Sequence, residues 1–223
     1  MANNTLPPND NVVVIGLARF GGSVAESLVR MGHDVLGIDK DGEHVQKWAD
    51  RLTHVVQGDA TDSSALRRLG VHDFGHAIVA IGTNIEASVL TVLALSELGV
   101  PDIWAKAISV DHGRILERTG AHHVIFPETA MGQRVAHMVT GKIMDFIEFD
   151  DGYAIVKTRA PLEAAGKTLG EAALRSKYGV TIVGVKRPKT DFTHALPETI
   201  IEAGDLLIVS GPTKLVQKFA ALT

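Results

Sequence analysis

From Asn11 to about Ala130 the chain repeats one unit: a short apolar run, a turn, then a stretch with apolar residues at helical spacing. The apolar runs are Val12–Ile15, Val35–Ile38, Thr53–Gln57, Ala77–Ile81, Ile103–Ala107 and Val124–Phe126. Between them the spacing predicts helices at Gly22–Met31, Glu43–Asp50, Ala65–Leu69, Ile85–Leu98 and from Asp111 to Arg118. Val24, Leu28 and Met31 share one face of the first of these, Asn84 is placed to cap the fourth, and Gly99 and Pro101 stop it. Asp111 is the expected cap of the last helix. Parallel strands need crossovers, and helices supply them here at every step. The pattern predicts an α/β domain, a Rossmann-like doubly wound parallel sheet.

The rhythm changes after about Met131. Gln133–Thr140 reads as a connecting helix, followed by strands at Asp145–Phe149 and Tyr153–Thr158 around Asp150-Asp151-Gly152, a hairpin signal. A helix at Leu169–Lys177, strands at Val180–Lys186 and Leu206–Val209 and a helix at Lys214–Leu222 complete a small α+β unit. The expected organisation is a flexible lead-in at 1–10, the Rossmann-like α/β domain at 11–132, a connector at 133–144 and the α+β domain at 145–223.

Composition narrows the function. The chain has no cysteine, which removes disulfides, cysteine metal sites and cysteine nucleophiles together. Formal net charge is −4, with no basic half, so a nucleic-acid partner is not expected. No run approaches the roughly 18 apolar residues of a membrane span, and MANNTLPPND lacks the basic and apolar regions of a signal peptide. A cytoplasmic protein is expected, reaching a membrane only through a partner.

The first strand runs into Gly16-Leu17-Ala18-Arg19-Phe20-Gly21, a G-x-A-x-x-G turn where a dinucleotide fingerprint belongs. Gly16 suits the tight turn and Gly21 the close packing of helix on strand, while Ala18 places a methyl where backbone normally nears a pyrophosphate. Asp39 ends the second strand, where an acid hydrogen-bonds ribose hydroxyls, and Asp59 ends the third. Arg19 is suited to a charge-assisted phosphate contact. Glu128 follows Pro127 at the end of the sixth strand, either near the ligand or as a first-turn glutamate on the helix dipole. His72, His76 and the adjacent His122 and His123 do not form a metal-ligand spacing. Tyr153 and Lys157 match the Y-x-x-x-K pair of short-chain dehydrogenases. That pair needs a helix to bring its members within ~6 Å; in a strand they stand ~13 Å apart.

The segments V-V-I-G-L-A-R-F-G-G, G-I-D, G-D-A-T, V-A-I-G-T-N-I-E-A-S, I-W-A-K-A and F-P-E-T-A-M-G resemble the RCK (regulator of conductance of potassium) domain. K-Y-G-V-T-I-V-G-V-K and G-D-L-L-I-V-S-G-P resemble the C-terminal subdomain of the same family, in its KtrA/TrkA-type cytosolic form. The resemblance implies a nucleotide sensor without catalytic residues. ADP/ATP or NAD(H) would sit on Gly16, Ala18, Arg19, Phe20 and Gly21 through phosphates, on Asp39 and Lys40 through ribose, and on Asp59, Ala60 and Thr61 through adenine. Ala80, Ile81 and Gly82 would line the site, with Lys106 and His112 nearby. It further implies that Arg19 senses a terminal phosphate across a dimer, and that Glu128 reaches the partner's nucleotide or a cation such as Mg²⁺ or Ca²⁺. Dimers would build an octameric ring docked on a membrane potassium transporter subunit, KtrB/TrkH-like. Cyclic di-AMP would bind near Arg175, Val180 and Pro197 in the C-terminal domain. The alternatives are a small NAD(P)-dependent oxidoreductase and a free-standing redox or nucleotide sensor.

Overall fold

The computed structural model describes residues 10–139, 142–149 and 152–222; the lead-in up to residue 9 and the Asp150-Asp151 part of the expected turn lie outside the described residues. The chain divides into two compact units, with the boundary between Glu128 and Thr129.

In the first unit, β1 (Val12–Ile15), α1 (Arg19–Arg30), β2 (Val35–Asp39), α2 (Gly42–Trp48), β3 (His54–Gln57), α3 (Ser63–Arg68), β4 (His76–Val79), α4 (Ile85–Glu97), β5 (Asp102–Lys106), α5 (Val110–Thr119) and β6 (His123–Ile125) follow in order. Every neighbouring pair of strands is parallel, in the order β3-β2-β1-β4-β5-β6. The Val-Val-Val-Ile run of β1 is buried on both faces, as a central parallel strand requires. Alternation divides its side chains. Val13 and Ile15 join Leu66, Val92, Leu95 and Leu116 from α3, α4 and α5. Val12 and Val14 join Ala25 and Trp48 from α1 and α2. The chain leaves β1 in one direction toward β3 and returns to β4 on its other side. At that switch point the connections diverge and leave a crevice beyond the carboxyl ends of β1 and β4.

α1 begins at Arg19, three residues ahead of the expected start, because the turn is completed at Gly16, with φ +92°. α5 is capped by Ser109, whose hydroxyl accepts from the His112 N–H, rather than by Asp111, which lies in the first turn. α6 (Pro127–Val139) starts six residues before the expected connector, since Pro127 suits a first helical position that needs no N–H donor.

The second unit holds an antiparallel sheet, β10-β9-β11-β8-β7, built from β7 (Ile143–Phe149), β8 (Tyr153–Arg159), β9 (Thr181–Lys186), β10 (Thr193–His194) and β11 (Leu206–Pro212). The helix expected at Leu169–Lys177 is broken into α7 (Leu169–Ala172) and α8 (Leu174–Tyr178) by Ala173 at φ +48°. α7 opens on a capping box between Thr168 and Glu171. α9 (Thr213–Ala220) buries Val216 and Phe219 in the core with Val156, Leu207 and Val209. Tyr153 and Lys157 lie on β8, in the extended geometry that rules out the dehydrogenase pair. The short β10 was not anticipated.

Candidate functional site

The crevice is a cleft of about 890 Å³, within the ~300–1,000 Å³ typical of small-molecule sites. Fourteen of the sixteen sequence-derived residues line it: Gly16, Ala18, Arg19, Phe20, Asp39, Lys40, Asp59, Ala60, Thr61, Ala80, Ile81, Gly82, Lys106 and Glu128. Two do not. Gly21 packs the helix onto the turn: a Cβ there would stand 1.8 Å from the Gly16 carbonyl oxygen and 2.8 Å from Ala80 Cβ. His112 is turned into the protein, 2% exposed, with Nε2 lacking a hydrogen-bond partner. Burial pushes its imidazole below the usual range.

One side of the cleft is the N-terminus of α1. α2, α3, α4 and α5 are each capped by a side chain, from Asp41, Asp62, Asn84 and Ser109. α1 has Ala18 at its N-cap, no capping side chain and no acid in its first turn. Its first-turn N–H groups are thus left to a ligand or water, with the positive end of the helix dipole behind them and exposed Arg19 among them.

The turn leading to it is wired from outside the motif. Leu17 N–H donates to Asp39 Oδ2 at 2.6 Å, and Leu17 C=O accepts from Trp48 Nε1 at 2.8 Å. Asp39 also accepts from Asp41 N–H on Oδ1 at 2.9 Å, and its Oδ2 lies 3.0 Å from His44 Nδ1. His44 and Asp41 line the cleft too. Asp59 Oδ1 accepts from the Thr61 N–H at 2.9 Å and hydroxyl at 2.7 Å, which hold its carboxyl below the usual range.

Across the cleft, Lys106 Nζ meets Glu128 Oε1 at 2.5 Å and lies 5.6 Å from the Phe20 ring centroid. The Lys106 hydrogen bond draws the Glu128 carboxyl below the usual range. As a metal site this does not fit: Glu128 is a single carboxylate already paired with a lysine. Among the described residues no group of three or more His, Cys, Asp or Glu side chains is placed to hold a metal ion.

Sequence reasoning missed Leu17, Trp48 and His44. Leu17 stood inside the quoted motif as a spacer. Trp48 gave no signal because its partner Leu17 lies 31 residues away, and His44 gave none because its five-residue separation from Asp39 spans the turn between β2 and α2, where no helical or strand period applies.

Comparison with known proteins fits this architecture. The TrkA-N domain family matches residues 12–127 and the TrkA-C domain family residues 154–223. The chain is 41% identical over 207 residues to the Ktr system potassium uptake protein C of Bacillus subtilis, covering 92% of this chain and 94% of that one. It is 40% identical over 212 residues to the Ktr system potassium uptake protein A of the same organism, covering 95% and 96%. Among solved structures, a GsuK channel bound to NAD aligns with a TM-score of 0.62 at 20% identity. That alignment covers 96% of this chain but 39% of the channel chain, and at such identity it speaks for the fold alone. The relatives are potassium uptake proteins and not oxidoreductases, which sets aside the NAD(P)-dependent oxidoreductase. With both family domains matched in order and the relatives covered almost end to end, the chain belongs to the TrkA-N/TrkA-C family of RCK-type potassium-transport proteins.

Proposed function

We propose that the chain is a cytosolic regulatory subunit that binds a nucleotide in the first-unit cleft and thereby gates a membrane potassium uptake transporter subunit, KtrB/TrkH-like. The observation that carries the reading is the uncapped, acid-free N-terminus of α1 in the same cleft as the Asp39 carboxylate. A polyanion fits the first and a ribose diol fits the second, and ADP, ATP and NAD(H) share both groups. In this reading residues 11–132 form the nucleotide domain, 133–144 the connector and 145–223 the C-terminal domain. Among the described residues no helix is long and apolar enough to cross a membrane, which suits attachment through a partner.

ADP and ATP differ only at the third phosphate, so a sensor must read that group. Arg19 is suited to it by its exposed position and its planar fork. Lys106 is already neutralised by Glu128, so a further phosphate would have to compete with that carboxylate. Mg²⁺ or Ca²⁺ would have to arrive on the phosphates, since the side chains alone make no site. Homodimers building an octameric ring give the bound nucleotide a lever: a ligand moves the ring only by binding its two shapes with different affinity. Cyclic di-AMP is proposed as a second ligand, of the C-terminal domain, where Arg175 and Pro197 are exposed while Val180 is buried and acts through packing.

The test is calorimetric titration of ADP, ATP and NADH, with the assembly mass measured by light scattering and potassium flux measured in vesicles carrying the transporter. Nucleotide-dependent flux through an assembly supports the reading. A chain that binds none of the three, or that stays monomeric with and without nucleotide, overturns it.

A further inference from the structure

We infer that His44 competes with the ligand's vicinal ribose hydroxyls for the Asp39 carboxylate, so that the ribose subsite tightens as pH rises. The inference rests on the nucleotide reading and deepens it.

The competition follows from a count of lone pairs. A carboxylate offers about four acceptor sites, two on each oxygen. Asp39 Oδ2 takes Leu17 N–H at 2.6 Å and faces His44 Nδ1 at 3.0 Å; Oδ1 takes Asp41 N–H at 2.9 Å. Facing a carboxylate, Nδ1 carries the imidazole proton and donates it. Three of the four sites are therefore filled, and a pair of ribose hydroxyls needs two. One donor has to leave.

Two of the three donors are backbone and fixed. Leu17 is held at its other side by the Trp48 indole, which donates to its carbonyl at 2.8 Å. Asp41 is the N-cap of α2, its own carboxylate accepting from Glu43 N–H at 2.9 Å. His44 is a side chain, 37% exposed, and a rotation about its own bonds releases it. The ribose hydroxyls therefore displace His44 and leave the two backbone bonds in place.

Histidine changes charge between about pH 5 and 8. A charged imidazolium–carboxylate hydrogen bond is stronger than a neutral one, so acid strengthens the competitor and weakens the diol's hold. α2 packs on β2 and β3, whose charged and titratable groups are Asp39, Lys40 and Asp41 at the end of β2, His54 in β3 and Asp59 beyond it. α2 itself adds Glu43 and Lys47, and Arg51 beyond it pairs with Glu26 of α1 at 3.8 Å. Of these, Asp39 alone is joined to His44 by a hydrogen bond or ion pair among the described residues.

The test uses the full chain with ADP and 2′,3′-dideoxy-ADP, titrated calorimetrically at about pH 5.5 and about pH 8. Both ligands carry the same phosphates, so phosphate titration cancels in the ratio of their dissociation constants, which isolates the hydroxyls. In the wild type the preference for ADP is expected to be about five- to tenfold greater at the higher pH. His44→Gln retains a donor but cannot titrate, and its ratio is expected to be the same at both pH values. His44→Ala has no donor at all, so its ratio is expected to be the same at both pH values and at least as high as the wild-type ratio at the higher pH. A wild-type ratio that does not move, or a pH slope that survives in His44→Gln, overturns the role of His44 while leaving the nucleotide reading intact. Absence of binding of either ligand, by any form at any pH, refutes the nucleotide reading itself.

Discussion

Replacing Gly21 by alanine tests whether the helix–turn contact holds the α1 side of the cleft, where the proposed phosphates would bind. The new Cβ would stand 1.8 Å from the Gly16 carbonyl oxygen and 2.8 Å from Ala80 Cβ, where real Cβ contacts essentially never fall below 3.0 Å. Relief thus requires a shift of at least about 1.2 Å. The first obstacle is backbone, so no rotamer change provides that shift; α1 has to lift from β1, or the turn has to open. Overpacking of this kind costs about 1–3 kcal/mol, and a clash with backbone belongs at the upper end. With a urea slope of about 2 kcal/mol/M, a loss near 3 kcal/mol moves the unfolding midpoint down by about 1.5 M. Both tryptophans, Trp48 and Trp104, lie in the first unit, so tryptophan-selective fluorescence follows that unit alone. The same displacement is comparable to the whole tolerance of a hydrogen bond, so ADP affinity falls at least about tenfold in protein that is still folded. Gly58→Ala is the control for the unfolding midpoint alone, because its Cβ would find only Ile38 Cγ2 at 3.8 Å while the residue lines the cleft. A Gly21→Ala stability within about 0.5 kcal/mol of wild type refutes the packing argument.

Asp39→Ala removes the proposed ribose acceptor and also strips Leu17 N–H of its partner, so calorimetry should show ADP affinity down about tenfold or more, with about 1–3 kcal/mol lost in urea unfolding. Unchanged ADP binding removes Asp39 from the site. Arg19→Ala should weaken ATP more than ADP and leave the fold intact, since Arg19 is exposed; an unmoved ATP/ADP affinity ratio rejects Arg19 as the sensor. For His112, burial lowers the folded imidazole below its unfolded value, so its contribution to stability is complete above about pH 6.5 and is lost as pH falls toward the lowered value. His112→Leu should therefore lose less stability than wild type between about pH 7.5 and about pH 5.5. Equal acid losses in the two would show that His112 is not the source.

The doubly wound sheet was legible because each of its steps leaves a local trace. Strand length, the glycine after β1 and the Asn84 cap can be read within a few residues of one another, and a parallel sheet allows few other ways to connect them. Ends were less legible where two local signals competed. Asp111 and Ser109 are both capping residues two positions apart, and the sequence does not say which takes the extended conformation; the structure gives it to Ser109, with ψ 162°. Ala173 carries no turn signature at all. Its left-handed backbone is imposed by the surrounding fold, with Leu174 buried on the next turn, so a continuous helix was the natural reading of Leu169–Lys177.

For the cleft, position was legible and wiring was not. A fingerprint places Gly16, Arg19 and Asp39 at strand ends, and strand ends converge in this topology whatever the side chains do. Which groups touch is decided across the fold. Leu17 reaches Asp39 over 22 residues and Trp48 reaches Leu17 over 31, while Lys106 meets Glu128 over 22. None of these separations is a helical or strand period, so no spacing rule finds them. Their consequence is chemical. An isolated Glu128 at the cleft wall invites a cation, but one paired with Lys106 does not; an isolated Asp39 is a plain ribose acceptor, but one holding Leu17, Asp41 and His44 is an acceptor with a single place left. The motif thus identifies where a ligand would lie. The partners outside the motif decide which of the ligand's groups must compete for the site and which find it free.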